Sequence, residues 1–235
     1  MQNSESKIIV ALDYSNEFDA ISLVEQLDPK QCRLKVGKEL FTSAGPALVK
    51  RFVDLRYDVF LDLKFHDIPN TVAKACAVAA DLGVWMVNVH ALGGRKMLEA
   101  ARSAIDSTHS NTLLIGVTIL TSMDEEDLLD VGLQSTAEAN VLRLARLAQS
   151  AGLDGVVCSP LEIKTLRTEL GADFLLVTPG VRPAGSVIGD QKRIMTPTEA
   201  ISNGSSYLVI GRPITLADKP LSVLLTISRE VCSIS

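Results

Sequence analysis

The chain has four cysteines, Cys32, Cys76, Cys158 and Cys232, and no two of them form a CxxC pair. That spacing offers neither a zinc knuckle nor a redox motif. Runs of basic residues are also missing, and the 23 Lys and Arg are outnumbered by 28 Asp and Glu. Such a balance argues against a nucleic-acid footprint or a membrane-surface segment. No apolar stretch reaches spanning length without a charge or a turn signal, which excludes a bilayer span. The three histidines, His66, His90 and His109, are isolated from one another, so neither a triad nor a metal cluster can be built from them. No signal peptide is visible and the cysteines look free, so a reducing cytoplasm is expected. The polar start, residues 1–6, is expected to fray.

What is present is a long alternation of apolar runs and helical spacings. At 235 residues the chain is long enough for one large domain or two small ones. Nothing rich in Pro, Gly or Ser divides it, so a single domain over 1–235 is expected. Short β-branched runs recur at Lys7–Asp13, Arg33–Gly37, Asp58–Lys64, Trp85–His90, Thr112–Leu120, Asp154–Ser159, Phe174–Gly180 and Tyr207–Gly211. Near-continuous apolar runs of this length suit strands buried on both faces of a parallel sheet. Segments such as "TVAKACAVAADLG" and "STAEANVLRLARLAQSAG" lie between them and end in glycines suited to helix C-caps. A doubly wound sheet uses the same pattern, but the count of eight favours an α/β fold of the (β/α)8 TIM-barrel type.

In such barrels the active site lies at the C-terminal ends of the strands. Charges collect there. Asp13 closes the first run, Lys35 sits in the second, and "FLDLKFHDIPNTV" places Asp62, Lys64 and Asp67 at the end of the third. Strand alternation puts Asp62 and Lys64 on one face, with Leu61 and Leu63 on the other toward the helices. Asp67 falls in the loop that follows, and spacing alone places it in the same pocket. Buried ion pairs are poor sources of stability, so a convergent array is better explained as groups set up to act on a ligand. A lysine flanked by carboxylates favours its protonated form and can serve as a proton donor.

The ligand class comes from the other end of the chain. In "VIGRPIT", Gly211 lets backbone N–H groups approach an anion, and Arg212 can grip phosphate oxygens in a bidentate fork. Loops after strands seven and eight form the usual phosphate site of this barrel. The long segment Gly180–Pro197 has the composition of a lid, with Arg182 and Gln191 able to fold over a bound anion and base.

These segments, "ALDYSN", "LKVGKELF", "FLDLKFHDIPNTV", "VNVHALGG", "VTILTS", "TPGVRP", "GDQKR" and "VIGRPIT", stand in an order that resembles the bacterial orotidine 5′-monophosphate decarboxylases. The likeness covers nearly the whole chain, and no motif position departs from the pattern. It implies decarboxylation of a nucleotide substrate to uridine 5′-monophosphate in pyrimidine biosynthesis, with no cofactor and no metal. Lys64 is implied as the residue that protonates C6, within a network of Lys35, Asp62, Lys64 and Asp67. Asp67 is implied to come from the second subunit of a homodimer with shared active sites. Asp13 and Lys35 match ribose contacts, Thr71 a cross-subunit contact, and Thr121 the residue that meets the pyrimidine amide. Arg182, Gln191, Gly211 and Arg212 match the phosphate-gripping set.

Two other readings compete. Magnesium-dependent sugar-phosphate decarboxylases and aldolases of the same superfamily share the DxKxxD element. They carry a glutamate metal ligand on strand two where this chain has Lys35, and a lysine there repels a cation. A nucleotide-binding barrel without turnover would need the phosphate grip but not an intact lysine–carboxylate array.

Overall fold

The computed structural model describes residues 6–183 and 195–233. Of the start expected to fray, Ser6 alone falls within them; Gln191 and most of the expected lid lie outside. Eight parallel strands close into a barrel in chain order, with β1 returning to pair with β8. They are β1 Ile8–Leu12, β2 Arg33–Gly37, β3 Val59–Phe65, β4 Met86–His90, β5 Leu113–Val117, β6 Gly155–Val157, β7 Leu175–Pro179 and β8 Tyr207–Ile210. This is the (β/α)8 fold that the alternation implies. The expected fifth strand, Thr112–Leu120, is shorter in the structure. Its last ladder partners are His90 on β4 and Val157 on β6, both opposite Val117, and β4 and β6 themselves end at those residues.

The helices are α1 Glu17–Val24, α2 Lys38–Asp54, α3 Pro69–Asp81, α4 Arg95–Ser107, α5 Glu125–Asp130, α6 Ala137–Ser150, α7 Ile163–Leu170, α8 Pro197–Ser202, α9 Arg212–Thr215 and α10 Pro220–Cys232. Their apolar stripes face the barrel. In α4 the buried residues Met97, Leu98, Ala101 and Ile105 recur at helical spacing while Arg95, Lys96 and Glu99 stay in water. Gly83 and Gly152 follow α3 and α6 with φ of +81° and +82°, the left-handed conformation that ends a helix and that glycine adopts without a Cβ clash.

Strand alternation sorts the core into two layers. Val10, Leu12, Leu34, Val36, Leu61, Val87 and Val89 face outward and pack under the helices. Ile9, Ala11, Phe60, Met86, Ile115, Val177 and Val209 face inward and fill the barrel. Full burial of a side chain such as Phe60 contributes roughly 1.5–3 kcal/mol relative to exposure. The filled interior makes the barrel a packed core and leaves its two ends as the places where polar side chains can sit.

β2 supplies a cation to each end. Arg33 and Lys35 both point inward, two residues apart, below and above this apolar plug. At the floor, Arg33 pairs with Asp58 at 3.3 Å and lies over the rings of Trp85 and Tyr207, 4.5 and 4.9 Å from their centroids. It also donates a hydrogen bond to the Ser6 carbonyl. Trp85, which opens the fourth apolar run, is one wall of this cage, edge-on to Tyr207 at 5.0 Å.

Candidate active site

The opposite end of β2 meets the ends of β1 and β3. Lys35 Nζ lies 3.0 Å from Asp13 Oδ1 and 3.5 Å from Asp62 Oδ2. Lys64 Nζ lies 2.6 Å from Asp62 Oδ1. The four side chains thus form a row of alternating sign, Asp13–Lys35–Asp62–Lys64, and Asp62 sits between two ammonium groups. Gly37 leaves room for this row, since a Cβ there would come within 3.1 Å of Lys35 Nζ. A cavity of about 200 Å³ opens over it, lined by Asp13, Lys35, Gly37, Lys38, Asp62 and Lys64. A larger hollow of about 480 Å³ lies at the barrel's other end, between Leu113, Asp154 and Leu175. Lying by the starts of β5, β6 and β7, it has no comparable array of paired charges, and chemistry in this fold belongs to the C-terminal face.

Burial pushes the Asp62 carboxyl up, but Lys35, Lys64 and hydrogen bonds from Lys64 and Asn88 outweigh it and hold the group below the usual carboxylate range. Asp62 is therefore a fixed negative charge at neutral pH. His90, at the end of β4, goes down to about 4, mainly through burial and then through the charges of His66, Lys38 and Lys64. Its neutral imidazole stands 5.4 Å from the ring of His66.

The other expected residues are spread around the mouth. Asp67 and Thr71 are exposed at the start of α3, and the Asp67 carboxylate accepts the Ile68 N–H at 2.6 Å. Among the described residues Asp67 makes no ion pair with Lys64, so its place is apart from the row. Thr121 is exposed in the turn after β5. Arg182 is buried beyond β7, and its guanidinium donates to the Val181 carbonyl at 3.0 Å. Gly211 caps α9 next to the row: a Cβ there would lie 3.5 Å from Ala11 Cβ and 3.6 Å from Asp13 Oδ2. Arg212 begins α9 and is exposed.

One contributor has no counterpart among the sequence-derived candidates. Asn88, fully buried on β4, donates from Nδ2 to Asp62 Oδ1 at 2.7 Å and accepts the Lys64 N–H at 2.8 Å. An amide in the inward register of the otherwise apolar run "WMVNVH" was the available signal.

A (β/α)8 barrel with a row of paired charges at the C-terminal ends of its strands defines a barrel enzyme that works on a small ligand at that face. Residues 6–227 match the family model described as orotidine 5′-phosphate decarboxylase / HUMPS. The chain belongs to that family. It is 60% identical over 230 residues to the orotidine 5′-phosphate decarboxylase of Nitrosococcus oceani, covering 98% of this chain and 99% of that protein. It is 57% identical to the enzyme of the same name from Actinobacillus succinogenes, over 98% of this chain and all of that one. The crystal structure of orotidine 5′-phosphate decarboxylase from Lactobacillus acidophilus superposes with a TM-score of 0.86 at 41% identity, covering 95% of this chain and 98% of that one.

Proposed function

We propose that this chain converts orotidine 5′-monophosphate to uridine 5′-monophosphate and carbon dioxide, the decarboxylation step of pyrimidine biosynthesis, with Lys64 as proton donor. The observation that carries the chemistry is the Asp62 carboxylate held between the ammonium groups of Lys35 and Lys64. When the C6–carboxylate bond breaks, its electron pair stays on C6 and carbon dioxide leaves. Lys64 stabilises that developing charge and then transfers an N–H proton to C6, leaving a neutral amine that solvent reprotonates. Asp62 orients the ammonium and lies beside the departing carboxylate. Family membership supports this substrate.

Asp13 and Lys35 hold the ribose hydroxyls in this reading. Thr121 meets the pyrimidine amide, and Arg182, Gln191, Gly211 and Arg212 grip the phosphate. Such grip lets binding energy far from the ring contribute to the barrier at C6. Asp67 and Thr71 serve the site of a second copy in a homodimer, which their exposure at the start of α3 supports. Three free cysteines, Cys32, Cys76 and Cys158, are buried and suit a reducing cytoplasm. No helix among the described residues is long and apolar enough to cross a membrane.

A divalent ion fits this row poorly. The Lys35 ammonium already stands between Asp13 and Asp62, where it neutralises the carboxylates that would bind a cation. A coupled absorbance assay for uridine monophosphate, run with and without chelator, tests the reading. Equal turnover in both is expected; a strict magnesium requirement would overturn it.

A further inference from the structure

We propose that Asn88 is a positioning residue for this reaction: its side-chain amide locks the Asp62 carboxylate and the Lys64 backbone into one geometry. The proposal rests on the roles assigned above to Asp62 and Lys64.

The ladder between β3 and β4 is irregular at this point. Leu61 pairs with Val87 and Phe65 with Val89, so Asp62, Leu63 and Lys64 stand opposite Asn88 alone. Extra residues on one strand leave ladder groups without their usual partners and bend the strand. Lys64 sits within this bulge at φ +54°, a left-handed conformation uncommon for a side chain of its size. Its N–H, displaced from the ladder, is met by Asn88 Oδ1 at 2.8 Å. The other end of the same amide donates to Asp62 Oδ1 at 2.7 Å, the oxygen that also receives Lys64 Nζ at 2.6 Å.

The amide orientation is determined by its partners. A carboxylate oxygen only accepts and a backbone N–H only donates, so the reversed amide would lose both bonds. With one Asp62 oxygen anchored in this way, the other faces Lys35 at 3.5 Å. Asn88 therefore acts through Asp62 and Lys64. It takes a conformation that the strand would not hold by itself and makes it the single low-energy arrangement. Catalytic geometry is sensitive at this scale, since displacement by about 1 Å can cost on the order of a hundredfold in rate.

Two variants separate the bonds. Asn88→Leu removes both at similar volume. Asn88→Asp keeps the acceptor for the Lys64 N–H, loses the donor to Asp62 and sets a second carboxylate against it. Asp62 faces Lys35 from β2, Lys64 from its own strand, and Asn88 and His90 from β4, with Asp13 on β1 beyond Lys35. Both variants are to be assayed with orotidine monophosphate across pH, alongside uridine monophosphate affinity. We expect kcat of Asn88→Leu to fall about 30-fold or more, with product affinity within about threefold. In Asn88→Asp the acidic limb of kcat/KM should move to higher pH, because the donor that lowers the Asp62 pKa has become a like charge. A merely structural asparagine would lower thermal stability and leave kcat of the folded Asn88→Leu variant within about twofold of wild type. The near-isosteric Asn88→Asp keeps the proposal testable if the leucine variant does not fold. An active wild type together with an Asn88→Asp variant of unshifted profile and kcat within about twofold would overturn this proposal alone. A wild type without turnover would overturn the function beneath it as well.

Discussion

Asp62 Oδ1 and Lys64 Nζ meet at 2.6 Å across a break in the β3 ladder. Regular alternation would also place these side chains on one face, but the structure brings them together through a bulge in which Lys64 takes a positive φ. The contact is thus a product of local backbone irregularity and of the amide that satisfies it. Lys35 approaches the other Asp62 oxygen from β2, so a single carboxylate organises two ammonium groups.

Removing that carboxylate should harm both chemistry and stability. In Asp62→Ala, Lys35 and Lys64 face each other without the charge between them, and loss of one partner from a buried pair costs about 3–5 kcal/mol. Lys64 is about a quarter exposed, with 26% of its side chain open to water, which places the expected loss near the lower end. Urea denaturation should show a drop of about 2–4 kcal/mol, and kcat should fall by at least about a hundredfold. Asp62→Asn should keep more of the stability and little of the activity.

The opposite end of the barrel should behave differently. Arg33, Asp58, Trp85 and Tyr207 close the floor, away from the charged mouth. Arg33→Met should lower unfolding free energy by about 1–3 kcal/mol, yet leave kcat/KM within about twofold. Paired melts and steady-state assays check this. A large loss of kcat in a folded Arg33 variant would show that the floor is coupled to the chemistry.

His90 gives a pH dependence with a definite sign. Its pKa is near 4 in the folded protein, against about 6.5 when unfolded. Between those values the unfolded chain binds a proton that the native state does not, so stability rises with pH across this window. His90 therefore supports the fold fully above about pH 6.5 and loses that support as pH falls toward 4. Asp62, whose pKa is depressed, loses its contribution only below the ordinary carboxylate value of about 3.9. Denaturation at pH 7.5 and 4.5 should show a steeper loss in wild type than in His90→Gln, by about 1 kcal/mol after solvent screening at this half-buried site. Equal pH slopes in the two proteins would contradict it.

The shared-site reading of Asp67 calls for a mixing experiment. Asp67→Ala and Lys64→Ala should each be nearly inactive alone. In a hybrid dimer one site retains Lys64 from one subunit and Asp67 from the other. Random subunit exchange should restore roughly a quarter of wild-type activity. No recovery after exchange is confirmed by mass spectrometry would place Asp67 outside a shared site.

Much of the architecture was legible in the sequence because two simple periodicities carry it. Apolar runs such as "IIVAL" mark strands buried on both faces, and Gly83 and Gly152 mark helix ends. The polar mouth was legible because Asp13, Lys35, Asp62 and Lys64 interrupt or end those runs. The β3 bulge was not, since register depends on pairing with β4 and leaves no local signature. The bonding partners of Asn88 were hidden for the same reason. In a linear reading it is one polar residue in a strand, and its two hydrogen bonds exist only once the bulge has formed. Arg33 reads as a strand-end charge, and only barrel closure brings Trp85 and Tyr207 around it.

The role of Lys64 as proton donor is tested by the turnover of orotidine monophosphate by Lys64→Ala, measured beside its affinity for uridine monophosphate. Its kcat should lie at least about a thousandfold below wild type, with product affinity within about threefold because the proposed phosphate and ribose contacts do not involve Lys64. Turnover near the wild-type rate in that variant would contradict the assignment of Lys64 as the proton donor.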